Sequence, residues 1–289
     1  NKEEVERLID ALLNFDLIRY SLISGLLIGF IAPLIGAFIV VRRLSLIADA
    51  LSHVTLGGIS FGMFLLTIIP VFSVINPMWF GILFAVIGAL LIEKLRTSFS
   101  NYQEIAIPII MSAGIALSAI FISLADGFNQ EIVGLLFGSI SAVNISDLTT
   151  IIIITIIVLI FIVLFYKELF ILSFDEEYSK VIGIPKWIQF LFIVIVAMVI
   201  SASMRVVGIL LVSALITLPI AISMRITKGF KQLIALSVIL GELSVILGLI
   251  IAFYMNISPG GVIVVLLVLM LILTMIIQKL KIKFKKGVV

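Results

Sequence analysis

Apolar runs long enough to cross a bilayer follow one another along almost the whole chain, and none alternates with the period of two that a membrane β-barrel strand requires. They predict spans near 18–41, 46–70, 78–95, 105–124, 148–166, 188–204, 206–224, 232–254 and 261–279. The stretch 188–224 has no long polar break. At about 1.5 Å per residue it would make about 55 Å of helix against a hydrocarbon core of about 30 Å, so it is expected as two helices turning near 201–205. The fold class is an all-α polytopic membrane protein, a bundle of about eight or nine transmembrane helices over 18–279. Pro33, Pro108 and Pro219 fall within spans and are expected to kink them.

The polar breaks add three surface features. Residues 1–17 place Val5, Leu8, Ile9 and Leu12 on one face and charges on the other, the pattern of an interfacial helix. Residues 125–147 are of mixed polarity and should dip back as a short helix. The loop 173–185 carries helix punctuation: Ser173 as N-cap, Glu176 as its capping-box partner, Gly183 as terminator and Pro185 beyond. That predicts a short helix at about 174–184.

Charge distribution gives the orientation. Of the 19 basic residues, 15 fall between or beyond alternate spans on one side, including Arg42, Arg43, Lys94, Arg96 and the tail 280–289. By the positive-inside rule that side is cytoplasmic, with the C-terminus inside and the N-terminus outside. The net charge of +3 is then mostly topology, and nothing in it supports nucleic-acid binding.

Composition agrees, with 63% hydrophobic and 12% charged residues and a mean hydropathy of +1.41. Any enzyme activity would have to fit into short polar stretches, and no G-x-x-x-x-G-K-[ST] phosphate loop occurs. If ATP drives this protein, a separate subunit hydrolyses it. Cysteine is absent, which excludes disulfides and thiolate metal sites.

Candidate chemistry centres on Asp49 and His53, the latter the sole histidine. Four residues apart on a helix they share a face, and carboxylate oxygen with imidazole nitrogen suits zinc, of which one such pair fills half a four-coordinate site. A symmetric dimer would supply the other half. The plainer alternative has Asp49 paired with Arg43 or Arg205 and His53 as a satisfied core group. Glu242, well inside a span, is a candidate third metal ligand or gate residue, or else a partner of Lys231 or Arg205. Arg205 could close an outer gate with Asp126 or Glu131, or simply snorkel to the interface. Gly57, Gly58, Ser60 and Gly62 predict a close helix approach beside the pair.

RRLSLIADALSHVTLGGISFG at 42–62 resembles the signature of the metal-ion permease family of bacterial ABC importers, which carry zinc, manganese or iron. LLFGSI at 135–140, FDEEYSKVIGIP at 174–185, RVVGILLVSALITLPIAIS at 205–223 and ISPGGVIVVL at 257–266 resemble further family motifs in order, covering nearly the whole chain. The resemblance implies a homodimer in the bacterial plasma membrane, two cytoplasmic ATPase subunits and an extracellular metal-binding lipoprotein. It places the coupling helix at Phe174, Asp175, Glu176, Glu177, Tyr178 and Gly183, and the transmembrane metal motif at Asp49 and His53. The ADALSHVTLGG form, with Gly57 where the manganese type has proline, is more similar to zinc permeases. No cofactor is expected to stay bound; the ion is cargo. A proton-coupled carrier using Asp49, His53 and Glu242 as a relay is the alternative from a different class.

Overall fold

The computed structural model describes residues 16–69, 75–99, 102–125, 130–139 and 143–286. Among them lie eleven α-helices: α1 (Asp16–Val41), α2 (Leu46–Ile68), α3 (Met78–Ser98), α4 (Ala106–Leu124), α5 (Gln130–Phe137), α6 (Ile145–Phe174), α7 (Glu176–Val181), α8 (Lys186–Val207), α9 (Ile209–Ile226), α10 (Phe230–Met255) and α11 (Pro259–Lys286). Among the described residues nine segments are long and apolar enough to span a membrane: every helix but α5 and α7, with α4 counted together with its leading 3-10 turn. All nine expected spans are therefore present. The interfacial helix expected over 1–17 lies outside the described residues up to position 15.

Small residues decide how the spans cross. On α1 and α10, a Cβ on Gly241 would come within 2.6 Å of the Gly29 carbonyl oxygen and 2.5 Å of the Pro33 ring, so the two backbones touch. α2 is held in the same manner on two sides. A Cβ on Gly58 would sit 2.5 Å from the Phe80 carbonyl on α3, and one on Gly114 of α4 would sit 2.7 Å from the Val54 amide. Without a hydrophobic drive between helices in lipid, such close approach supplies the van der Waals contact that holds a bundle together. A Thr55–Ser201 hydroxyl contact of 3.2 Å adds α8 as a third neighbour of α2.

One expectation about a break is corrected. α8 runs through 201–205 and ends at Gly208, whose φ of +88° and ψ of 150° only glycine adopts readily. Ser201 and Ser203 donate to the carbonyls of Ala197 and Val199, which lets polar residues continue the helix. Pro33 and Pro219 lie inside helices that stay continuous, and Pro108 occupies the first turn of α4, where its missing N–H costs nothing. The non-helical backbone inside a span is instead at Phe165 of α6, with φ −113° and ψ 21°.

Candidate metal-ligand pair and the two ends of the bundle

The third residue after Leu46 and the fourth beyond that place Asp49 and His53 on one face of α2, Asp49 in its first turn and His53 about one turn further on. Its positive N-terminal dipole is a favourable place for a carboxylate. α3, α4, α8 and α9 pack around α2, while Leu46, Asp49 and His53 form its least covered stripe, Leu46 being 60% exposed and Asp49 and His53 half-buried. Among the described residues neither Asp49 nor His53 has a hydrogen-bond or ion-pair partner. The expected alternative of Asp49 pairing with Arg43 or Arg205 is therefore not what the structure has. The His53 backbone carbonyl does have a partner, accepting from Ser118 Oγ of α4 at 3.1 Å, which fixes the helix under the imidazole.

No three His, Asp or Glu side chains come together to hold an ion among the described residues. Glu242 does not join Asp49 and His53 within one chain, because α10 packs against α1, α9 and α11 and not against α2. It lies midway along α10, half-buried, without an ion pair to Lys231 or Arg205 among the described residues.

At the end of the bundle where α8 turns into α9, Arg205 is drawn inward rather than snorkelling. Its Nη1 lies 3.4 Å from Oδ2 of Asp147 on α6, with side-chain exposures of 11% and 0%. Asp147 also completes a capping box with Asn144, accepting from its backbone N–H while Asn144 Oδ1 accepts from that of Asp147. Of the gate partners expected for Arg205, Asp126 lies outside the described residues, and Glu131 sits in α5, the short helix expected in this segment. Three glycines close this corner: a Cβ on Gly208 would meet the Gly138 amide at 2.4 Å and one on Gly260 the Val207 carbonyl at 1.8 Å.

At the opposite end, α7 is the short helix expected near 174–184, but its N-cap is Asp175, whose Oδ1 accepts from the Tyr178 N–H at 2.8 Å. Ser173 bonds back to the Leu169 carbonyl and belongs to α6. Gly183 ends the turn with φ +83°. Phe174, Tyr178, Val181 and Ile182 are exposed, Val181 by 82%, an apolar cluster on a polar loop.

Sequence reasoning missed what anchors α7. Glu176 Oε2 lies 3.7 Å from Arg42 and 3.8 Å from Arg96, Arg96 also pairs with Glu93 at 3.2 Å, and Gln189 donates to Glu93 at 2.7 Å. The network joins α7 to the ends of α1, α3 and α8. Burial pushes the Arg42 guanidinium below the ordinary arginine value, with Glu176 opposing that shift. Its sequence signal was Glu93 beside Lys94 and Arg96, an acid among basic residues that had been counted only for topology.

Nine candidate membrane spans among the described residues, packed as one bundle with a short exposed helix at one end, define a polytopic α-helical membrane protein. The chain belongs to the ABC 3 transport family, whose model matches residues 14–278. It is 31% identical over 271 residues to a "Probable metal transport system membrane protein" of Treponema pallidum, covering 92% of this chain and 98% of that one. It is 29% identical to the manganese transport system membrane protein MntC of Listeria monocytogenes, covering 89% of each chain. The solved structure of PsaBC from Streptococcus pneumoniae in complex with Fab superposes with a TM-score of 0.80 at 29% identity, covering 93% of this chain and 95% of that one.

Proposed function

We propose that this chain is the permease subunit of an ATP-driven importer of a divalent transition metal, working as a homodimer in which two copies of Asp49 and His53 face each other. The observation that carries this reading is the partly exposed stripe on α2, where a carboxylate and an imidazole share one helix face and have no side-chain partner among the described residues. Two carboxylates and two imidazoles make a four-coordinate nitrogen and oxygen set, which suits zinc; manganese favours six oxygen-rich ligands. Zinc is accordingly the proposed cargo, supported also by the ADALSHVTLGG motif at 48–58. Manganese is the second reading, favoured by the names of relatives such as MntC.

In this scheme an extracellular binding protein delivers the ion at the end formed by α5 and the turn before α11. Those two segments meet there, with Ser258 Oγ donating to the Phe137 carbonyl at 2.5 Å. The ion passes to Asp49 and His53, held weakly enough to be released. Two cytoplasmic ATPase subunits push on α7, whose exposed Phe174, Tyr178, Val181 and Ile182 form the contact surface. Glu176 carries the push to Arg42 at the end of α1 and so to the turn that starts α2.

Uptake into proteoliposomes holding the permease, its ATPase and its binding protein tests the cargo. With both ions at equal free concentration, zinc is expected to suppress manganese uptake more than the reverse; the opposite ranking selects manganese, and uptake without ATP rejects the importer. Placing a charge in the α7 contact by Val181→Asp is expected to lower ATP-driven uptake about tenfold or more, as loss of an interface hot spot does. Because Val181 is 82% exposed, the melting temperature should barely move.

A further inference from the structure

Charge at the end that carries α7 is divided unevenly. Beside α7, Arg42 and Arg96 are matched by Glu93 and Glu176. Around the α9–α10 loop and the end of α11 no such matching exists. Over 206–289 the chain has eight basic residues, all within 225–231 or 279–286, and a single acid, Glu242, which lies mid-span on α10. Gln278 brings the two basic groups together: its side-chain amide donates to the Arg225 carbonyl, and Arg225 Nη1 donates to its Oε1 at 3.4 Å. Arg225, Lys228, Lys231, Lys279 and Lys281 are all exposed, and among the described residues none of the five has an ion pair. Neighbouring elements bring Glu168 of α6 and Asp175, the cap of α7, towards this corner, since Phe230 packs on Phe170 and Phe174 at 5.4 and 5.5 Å. Set against both acids, the corner still holds a surplus of positive charge. At about 1.5 Å per residue α11 makes about 42 Å of helix against a hydrocarbon core of about 30 Å, so its lysine-rich end reaches the headgroups or passes them.

We propose that this corner binds the headgroups of anionic phospholipids in the leaflet it meets. Positive-inside topology counts Lys and Arg and is little affected by acids. It therefore does not account for acids gathering beside α7 while 225–231 and 279–286 have none. A cluster of basic residues directly beyond a membrane span attracts anionic lipid. Phospholipid fits better than free phosphate because Met224, Ile226, Ile276, Ile277 and Leu280, all exposed, border the charges and offer contact to acyl chains. The leaflet is the cytoplasmic one on the orientation used for the proposed function; the binding itself does not rest on that reading. Headgroups held by Lys228 and Lys231 steady Phe230 between them, and with it Phe174, the residue before the α7 cap.

Native mass spectrometry of the detergent-solubilised permease, offered equal phosphatidylglycerol and phosphatidylcholine, tests the surface. Wild type is expected to retain phosphatidylglycerol about fivefold or more over phosphatidylcholine, the discrimination that one basic residue supplies near a charged surface. Lys228→Gln, Lys231→Gln, Lys279→Gln and Lys281→Gln combined should bring the ratio near parity. Lys279→Gln with Lys281→Gln alone should lower it part way, which keeps the test open if the fourfold variant fails to assemble. Lys94→Gln with Lys186→Gln, exposed lysines on the acid-bearing side, should leave it unchanged. Equal retention in wild type, or an unaltered ratio in the corner variants, overturns the proposal. An equal fall in the Lys94 and Lys186 variant reduces the effect to net charge and overturns the site. Return to parity in millimolar inorganic phosphate overturns the lipid assignment, and loss of the preference when the ATPase subunits bind gives the corner to a protein contact and overturns it as well. In nanodiscs, amide hydrogen exchange over 174–181 should be slower with phosphatidylglycerol than with phosphatidylcholine in wild type only; equal exchange in the two lipids overturns the tie to α7. None of these measurements reads transport, so failure of the importer reading would leave their outcome standing.

Discussion

Asp49→Asn is expected to lower ATP-driven metal uptake on the order of 100-fold or more while leaving the assembled transporter intact. The substitution keeps the size and hydrogen-bonding reach of the side chain but removes the charge of the proposed ligand, and in the proposed homodimer it removes two at once. Altering even groups that only orient a metal ligand costs about 10- to 100-fold in affinity, so losing two ligands sets that as a lower bound. The fold should tolerate the change because Asp49 has no intramolecular partner to lose among the described residues. His53→Ala belongs to the same prediction. If the pair only set helix register, either variant would alter stability and leave uptake per assembled dimer unchanged.

Asp147→Asn is expected to destabilise the permease by about 3 kcal/mol or more, read as a large fall in the temperature at which the solubilised protein loses its size-exclusion peak. Asparagine can still cap α6 through the Asn144 pairing, so the loss isolates the charge. What remains is Arg205, 11% exposed, without the Asp147 carboxylate. Breaking a buried ion pair on one side costs about 3–5 kcal/mol, whereas replacing both partners by apolar groups is often tolerated. Asp147→Leu combined with Arg205→Met should therefore recover much of the stability. If this pair is also a gate, that double variant will fold and yet transport at an altered rate, separating the two roles of one contact.

The spans were legible because the membrane imposes one rule on every helix crossing it, a run of about 20 apolar residues. The α8–α9 turn was not, because the eye follows polarity and Ser201–Arg205 is polar, while the turn needs only a backbone that bends at Gly208. The shift of the α7 cap from Ser173 to Asp175 has a similar origin: both residues can cap, and Ser173 is satisfied by the Leu169 carbonyl of the helix it ends. Asp49 and His53 were found because they share one helix face, and local spacing records that. Glu242 was drawn towards them by rarity alone, which says nothing about which helix α10 packs against. The Arg42–Glu176–Arg96–Glu93–Gln189 network joins residues far apart in sequence, and only packing brings them together.

The central claim is that one ion sits between two copies of α2. Anomalous scattering from crystals of the solubilised permease grown with zinc or manganese tests it most directly. The account predicts a peak on the dimer two-fold axis within bonding distance, about 2.0–2.2 Å for zinc, of both Asp49 carboxylates and both His53 imidazoles. A peak at Glu242, or α2 stripes from the two copies facing lipid rather than each other, would contradict it.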